Sequence, residues 1–233
     1  KGSLTDAQKA KFPHLKDYTA FSVDPRDRDR VREALNGQIV ASQRAANGAV
    51  LAATGVQIAG VLDDLYPAAT KADLGPTFDK GRPTLSVWAP TAQSVKLEIG
   101  DSAVAMKRSD STGVWSVTGS KSWKNKPYRY VVKVWAPSVR KVVTNKVTDP
   151  YSVALTANSE RSLLVDLDDR TLAPSGWSTY TKPRAVPLKD AQIQELHVRD
   201  FSVADKTVPA KDKGTYLAFT DKLSDGSKHL KKL

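Results

Sequence analysis

The 233-residue sequence predicts a mainly β protein with three parts. These are a small N-terminal α/β or β-rich domain, an immunoglobulin-like β-sandwich, and the beginning of a larger α/β domain. Three observations lead to this prediction. Residues 1–78 contain one helix signal and one hairpin signal, residues 79–172 contain a series of short alternating strands, and the C-terminal part contains one strand and the start of a helix.

The N-terminal part contains signals for a short helix and for a hairpin. Asp24 and Pro25 form a helix start, the run RDRDRVREAL carries the helix, and Asn36-Gly37 ends it. Two apolar runs then flank Asn47-Gly48, and an Asn-Gly pair is the strongest short-range signal for a hairpin. A small domain of mixed or β-rich structure is therefore expected here.

The middle part forms the predicted β-sandwich. In the run SVKLEI, the apolar Val95, Leu97 and Ile99 alternate with the outward-facing Lys96 and Glu98, which is the pattern of a half-buried strand. Short runs of this kind recur at regular intervals between glycines and prolines, and such spacing is typical of a sandwich. The runs are TLSVWAP, SVKLEIG, GVWSVTG, YRYVVKVWA, RKVVTNKV and SLLVDL.

The last part contains a linker, residues 173–190, and the start of a further domain, residues 191–233. Prolines and glycine mark the linker. The run AQIQELHVRDF predicts one strand, and Ser224 can cap a helix that continues with SKHLKKL. A strand, a loop and a helix are half of a βαβ unit, which cannot form a parallel sheet alone.

Four ionisable residues lie close together in the predicted C-terminal strand. Side chains alternate on a strand, so Glu195, His197 and Arg199 would share one face and Asp200 would point to the other. Glu195 and His197 could form an acid/base pair. We favour a polar structural layer, in which His197 is hydrogen-bonded and Arg199 pairs with a carboxylate.

Composition and charge narrow the function classes. The chain has no cysteine, which excludes disulfides, thiolate zinc sites and a cysteine nucleophile. The net charge of +11 would suit nucleic-acid binding, but the basic residues are scattered singly, so no nucleic-acid partner is predicted. No apolar run approaches the ~20 residues of a membrane span, so no membrane partner is expected. The acidic run DLDDR, residues 166–170, lacks the glycine and glutamate of a calcium loop, and no metal site is predicted.

The strand PYRYVVKVWA offers a candidate binding site. Arg129, Val131, Lys133 and Trp135 share one of its faces, and from Lys121 to Lys146 there are eight basic residues and no acidic one. A tryptophan ring can stack on a glucose while an arginine donates to its hydroxyls. The same ingredients suit single-stranded nucleic acid. A solvated sheet face that packs on a neighbouring domain is the third interpretation.

Five stretches of the chain resemble one known family. They are FPHLKDY (12–18), ATGVQIAGVLDDLY (53–66), PTLSVWAPTAQSVKLEI (83–99), VTDPYSVALTANSERSLLVDL (147–167) and IQELHVRDFS (193–202). These stretches resemble bacterial type I pullulanases of glycoside hydrolase family 13. The middle part is similar to carbohydrate-binding module family 48, a β-sandwich found ahead of the catalytic barrel in starch- and glycogen-active enzymes. The resemblance implies that residues 191–233 are the first strand and helix start of a (β/α)8 barrel.

The resemblance also assigns binding residues. Arg129 matches a basic residue that touches sugar in glucan-binding members of the module family, and Asn158 falls near their asparagine. Trp115 and Trp123 are candidates for the surface tryptophans of that family. The predicted substrate contacts are Arg129, Trp135, Trp123 and Asn158. The module could instead only brace the barrel.

The function implied by the resemblance is hydrolysis of α-1,6 branch points in pullulan and starch-type glucans by a retaining pair of carboxylates. The catalytic stretches of the family are absent, so no residue here is expected to be catalytic, and the chain is expected to be part of a longer, secreted bacterial enzyme. Its expected partners are an α-glucan and the remainder of its own catalytic domain, in a monomer without a cofactor, although the intact enzyme could need calcium. The alternatives are a stand-alone glucan-binding or interface module and another debranching or branching enzyme of the same family.

Overall fold

The structure is a computed structural model that describes residues 1–233 and contains two compact units, residues 1–172 and 173–233. Short elements form the N-terminal part of the first unit. They are β1 (Gly2–Ser3), α1 (Asp6–Lys11), β2 (Thr19–Ala20), α2 (Val31–Ala34), β3 (Val40–Arg44), β4 (Val50–Gly55) and α3 (Ala59–Leu65). No helix in either unit is both long enough and apolar enough to cross a membrane.

The helix and the hairpin predicted in this part are both present. The helix consists of a 3-10 turn, Pro25–Arg30, that continues into α2, and the Asp24 side chain caps it by accepting from the Arg26 backbone N–H at 2.9 Å. Strands β3 and β4 pair in an antiparallel hairpin. Gly48 lies in its turn with φ at +85°, a conformation that glycine adopts without steric cost.

The remainder of the first unit is a sandwich of two antiparallel sheets, as predicted. One sheet has the order β5-β6-β10-β9, and the other has the order β12-β11-β7-β8 with β13 paired to β11. The strands are β5 (Gly75–Asp79), β6 (Arg82–Trp88), β7 (Ser94–Ile99), β8 (Ser102–Ala105), β9 (Lys107–Arg108), β10 (Val114–Thr118), β11 (Pro127–Ala136), β12 (Lys141–Val147) and β13 (Ser162–Leu163).

The core of the sandwich is built from the inward-facing residues of these strands, as the period of two requires. It contains Leu85, Val87, Ala92, Val95, Leu97, Ile99, Met106, Trp115, Tyr128, Tyr130 and Leu164. The predicted inward set of β7, which is Val95, Leu97 and Ile99, is confirmed by this cluster.

One buried carboxylate is satisfied inside the sandwich. Asp149 is only 3% exposed, and its Oδ2 accepts from the hydroxyls of Tyr128 at 2.8 Å and Tyr130 at 3.0 Å. Burial, together with the nearby Asp149 charge, raises the pKa of both tyrosines far above the ordinary range. Both hydroxyls therefore stay protonated and act as donors, which fixes the inner side of β11.

The second unit is helical where it is regular. It contains α4 (Val198–Ser202), a 3-10 turn (Tyr216–Thr220) and α5 (Asp225–Lys232). The predicted helix near the C-terminus is confirmed, with Ser224 as its cap: the Ser224 hydroxyl accepts from the Ser227 backbone N–H at 3.2 Å. Phe201 and Phe219 stack with their ring centroids 4.5 Å apart.

The strand predicted from AQIQELHVRDF is not formed. Residues 191–197 have no regular structure, and α4 begins at Val198. A strand exists through its ladder of hydrogen bonds to a neighbour, and none of the 233 described residues pairs with this segment. The mainly β fold class with its sandwich is confirmed, while this single strand is a correction.

Candidate functional site

The outer side of the sheet β12-β11-β7-β8 carries the candidate site. Tyr128 and Tyr130 point into the core, so the alternate residues of β11 point outward. The register places Arg129 opposite Glu98, and it places Val131 between Lys96 and Lys146 of the flanking strands. We call this surface the basic face; its residues are Lys96, Glu98, Arg129, Val131, Lys133, Trp135, Lys146 and Arg161.

Glu98 lies among three cations at the centre of the basic face. Its Oε1 accepts from Arg129 Nε at 3.0 Å and from Arg161 Nη2 at 2.8 Å, and Arg129 Nη2 lies 2.8 Å from the same oxygen. Lys146 Nζ lies 3.1 Å from Oε2. The side chain of Glu98 is 17% exposed, and those of Arg129 and Arg161 are 23% and 28% exposed. The cluster is therefore partly shielded from water, and this strengthens its charge pairs relative to isolated surface pairs.

The cations set the protonation of Glu98. The hydrogen bond from Arg129, with a further contribution from Lys146, lowers the pKa of the Glu98 carboxyl below its ordinary value. Glu98 is consequently ionised near neutral pH. It holds the two guanidinium groups in fixed positions and leaves part of each fork open to solvent.

Trp135 shares the basic face with Arg129 but lies farther along β11. Six residues separate them, which corresponds to about 20 Å on a strand. The ring is half-buried, and Trp135 pairs with Val142 across the sheet. The two residues are too far apart to hold one sugar ring, but they could contact a chain of several glucose units.

Asn158 lies in an exposed turn close to the basic face. It adopts φ +56° and ψ +19°, a left-handed conformation that asparagine tolerates. Two hydrogen bonds between Thr156 and Arg161 close this turn: Thr156 N donates to Arg161 O at 2.9 Å, and Arg161 N donates to Thr156 Oγ1 at 3.1 Å. Because Arg161 shares Glu98 with Arg129, the structure brings the Asn158 turn to the same side of the sandwich as Arg129.

Trp123 has a different environment. Its ring packs against the sandwich core, and a Cβ at Gly119 would come within 2.1 Å of the ring. The other tryptophan considered, Trp115, is a core residue whose Nε1 donates to the Ala89 carbonyl at 3.0 Å. A sugar contact by Trp123 stays a prediction. Trp115 is buried in the core and is therefore not a surface tryptophan.

Sequence reasoning missed the ionic partners of Arg129. Glu98 was assigned to the outer face, but neither Arg161 nor Lys146 was connected with it. Charge is the signal that could have linked Glu98 to Arg129. Residues 121–146 contain eight basic residues and no acidic one, so an outward-facing carboxylate on another strand is the expected counterion. Arg161 lies 63 residues from Glu98 along the chain, and only the fold brings the two side chains together.

The ionisable residues of the C-terminal segment do not assemble as strand alternation predicts. Since α4 begins at Val198, Asp200 turns back toward His197, and its Oδ2 lies 3.7 Å from His197 Nδ1. Arg199 Nη1 lies 3.5 Å from Asp200 Oδ1. All three side chains are at least 66% exposed, so they form a solvated surface group without the burial that tunes catalytic residues.

The two-sheet sandwich is the fold expected for a carbohydrate-binding module, and comparison with protein families gives the same class. Residues 73–152 match carbohydrate-binding module 48, the isoamylase N-terminal domain. Residues 1–64 match the pullulanase N2 domain. The chain thus matches a pullulanase N2 domain followed by a module of family 48, and the resemblance found in the sequence is confirmed.

Related whole proteins are pullulanases. The chain is 43% identical to a pullulanase of Klebsiella pneumoniae over 96% of its length, and 39% identical to the chloroplastic pullulanase 1 of Arabidopsis thaliana over its full length. It spans 21% and 24% of these two relatives, respectively. The similarity therefore concerns about a fifth to a quarter of each enzyme.

Solved structures give the same result. The structure of Klebsiella pneumoniae pullulanase complexed with maltotriose matches 99% of this chain with a TM-score of 0.90 and 40% sequence identity, and the chain covers 23% of that protein. A pullulanase from Paenibacillus barengoltzii, solved with maltohexaose and α-cyclodextrin, matches 70% of the chain with a TM-score of 0.57 and 29% identity, and here the chain covers 25% of that protein.

Proposed function

We propose that the chain is the N-terminal part of a debranching enzyme that hydrolyses α-1,6-glucosidic bonds in pullulan and starch-type glucans by a retaining mechanism. Within that enzyme, the sandwich binds α-glucan through the basic face. The similarity to pullulanases over nearly the whole chain supports the enzyme class. The glucan ligand is supported by the match to a carbohydrate-binding module and by relatives solved with maltotriose and maltohexaose.

The observation that carries the binding proposal is the grouping of Arg129, Arg161 and the Asn158 turn on one side of the sandwich. Glu98 fixes both guanidinium groups, so their remaining N–H groups are positioned before a ligand arrives. The Asn158 amide offers one acceptor and two donors in an exposed turn. Trp135 adds an aromatic surface farther along the same face.

We further propose that these 233 residues supply no catalytic carboxylate. Retaining hydrolysis needs two carboxyl groups about 5 Å apart across the scissile bond. In a (β/α)8 barrel such groups stand at the C-terminal ends of several strands. The described residues include no barrel sheet, so the chain alone should not hydrolyse pullulan. In the same proposal, the intact enzyme is secreted and monomeric, and the chain contacts the remainder of its own catalytic barrel.

Affinity electrophoresis tests the binding function. The complete 233-residue chain is run through native gels that contain pullulan or amylopectin. We expect retardation by the polysaccharide, and we expect Arg129→Ala to weaken binding about tenfold, because a charge-assisted donor to sugar hydroxyls is lost. Lowered retardation with an unchanged melting temperature assigns the loss to binding.

Arg184→Ala is the matched control, since Arg184 is exposed and forms no ion pair in the structure. It removes the same charge from a different surface and should leave retardation unchanged. Retardation of Arg129→Ala equal to that of the wild type would contradict glucan binding by this face. The chain would then act as an interface module whose Glu98 cluster braces the sandwich.

A further inference from the structure

The basic face holds more positive charge than its internal ion pairs can neutralise. Five cations surround one carboxylate, Glu98. Three of them, Arg129, Lys146 and Arg161, already share that carboxylate. The other two, Lys96 and Lys133, are exposed and form no ion pair among the described residues. The face therefore carries a formal excess of four positive charges.

These charges lie within a small area. Strands β7, β11 and β12 are neighbours, so the three strands together span about 10 Å. Lys133 lies four residues from Arg129, which corresponds to about 13 Å along β11. The Debye length at physiological salt is about 8 Å, so Lys133 adds little to the field at Arg129, but an extended ligand several sugar units long can contact both ends of the group.

A neutral glucan does not account for this excess. Uncharged donors can bind the hydroxyls of a glucan, and aromatic rings can stack on its sugar rings. Neither kind of contact requires five positive charges on one face of a sheet. Like charges at such distances repel each other, and their cost is offset when an anion binds. Two fixed guanidinium forks next to lysines are the arrangement that recognises phosphate groups.

We propose that the basic face selects α-glucan chains that carry phosphate monoesters over unmodified chains. Arg129 and Arg161, held by Glu98, and the unpaired Lys96 and Lys133 would supply the donors for the phosphate. Trp135 would supply apolar contact to the sugar chain farther along the strand. The inference rests on the proposed glucan-binding function for the carrier of the phosphate, and it adds the chemical class of the preferred ligand.

A nucleic acid also carries phosphates, but the face is less suited to it. Single-stranded nucleic acid is bound by several aromatic rings on which successive bases stack. The basic face has one aromatic residue, Trp135, which is half-buried. Phosphate on a sugar polymer is therefore the better match, and nucleic-acid binding is an outcome that the experiment must be able to detect.

The test compares one polymer in two states. Phosphate-rich amylopectin is used as isolated and after enzymatic removal of its phosphate, and binding of the 233-residue chain is measured at 50 mM and 200 mM salt. We expect about tenfold tighter binding to the phosphorylated polymer at low salt, because charge-assisted hydrogen bonds are added. The preference should shrink at the higher salt concentration.

Two double variants test whether Lys96 and Lys133 cause the preference for phosphorylated amylopectin. The double variant Lys96→Gln/Lys133→Gln should lose most of the preference, so that its affinities for phosphorylated and dephosphorylated amylopectin become similar. The exposed Lys71 and Lys182 form no ion pair, so Lys71→Gln/Lys182→Gln is the matched control and should keep the preference.

The outcomes separate this inference from the proposed function. Equal binding to both polymers would overturn the preference and leave glucan binding intact. Binding to neither polymer would overturn both proposals. Binding to the phosphorylated polymer alone supports the phosphate preference and contradicts binding of unmodified glucan. Duplex DNA or single-stranded RNA that binds as tightly as the phosphorylated polymer at the same salt would overturn the assignment to phosphorylated glucan.

Discussion

At the scale of single residues, Glu98 organises the basic face. Removal of its charge would leave Arg129, Arg161 and Lys146 next to each other without a counterion. Because the pKa of Glu98 is lowered in the folded chain, the folded state binds fewer protons than the unfolded state as the pH falls toward 4. The stabilisation from Glu98 is therefore fully present above the ordinary carboxyl pKa and is lost as the pH drops through the lowered value.

We predict that Glu98→Gln reduces the pH dependence of stability in acid. The free energy of unfolding, measured with urea between pH 6 and pH 3, should fall more steeply for the wild type than for the variant. Glu160 is exposed and unpaired, so Glu160→Gln is the matched control and should follow the wild-type curve. Parallel curves for the wild type and Glu98→Gln would contradict the ionic role of Glu98.

At the scale of elements, the close packing of Trp123 on Gly119 fixes the connection between β10 and β11. The 3-10 turn Lys121–Trp123 lies in this connection and turns the Trp123 ring onto the core. The ring atoms lie 2.1 to 2.5 Å from the position of a Cβ at Gly119, which is far below contact distance. Only glycine fits at this position with the ring in place.

We predict that Gly119→Ala displaces the Trp123 ring and lowers the free energy of unfolding by about 1–3 kcal/mol, the usual cost of overpacking. Urea unfolding measures the stability, and near-ultraviolet circular dichroism reports on the tryptophan environment. Gly55→Ala is the control, since nothing lies within 4 Å of a Cβ at Gly55. A Gly119→Ala variant with wild-type stability and an unchanged spectrum would contradict this packing. The Trp123 ring would then not be held on the core and would be available to contact sugar.

The elements that local signals define were predicted well. The Asn47-Gly48 turn, the Ser224 cap and the inward residues of β7 each depend on neighbours within a few positions. The ion pair between Glu98 and Arg161 was not predicted, because it depends on sheet register across 63 residues.

The prediction of a strand at residues 191–201 was wrong for a related physical reason. Its apolar alternation is real, but a strand forms only when a neighbouring strand accepts its hydrogen bonds. No described residue does so, and the backbone instead closes a helical turn from Val198. The resulting approach of Asp200 to His197 could not be derived from alternation.

At the scale of the whole molecule, the N-terminal elements and the sandwich form one compact unit joined at Tyr66. This ring is 2% exposed, its hydroxyl accepts from Arg108 Nη2 at 2.9 Å, and the Arg32 guanidinium lies 5.4 Å from its centroid. Arg32 also donates to the backbone carbonyl of Asp110 in the sandwich. The basic face thus belongs to one compact unit with residues 1–64, the part of the chain that matches the pullulanase N2 domain.

The most direct test of glucan binding by the basic face is a nuclear magnetic resonance titration of the 15N-labelled 233-residue chain with maltohexaose. The account predicts that the largest shift changes fall on amides of residues 96–98, 129–135 and 158–161 and on the Trp135 indole, with saturation by the ligand. Changes that cluster on other surfaces, or a spectrum that maltohexaose leaves unchanged at millimolar concentration, would contradict the central claim that this face binds α-glucan.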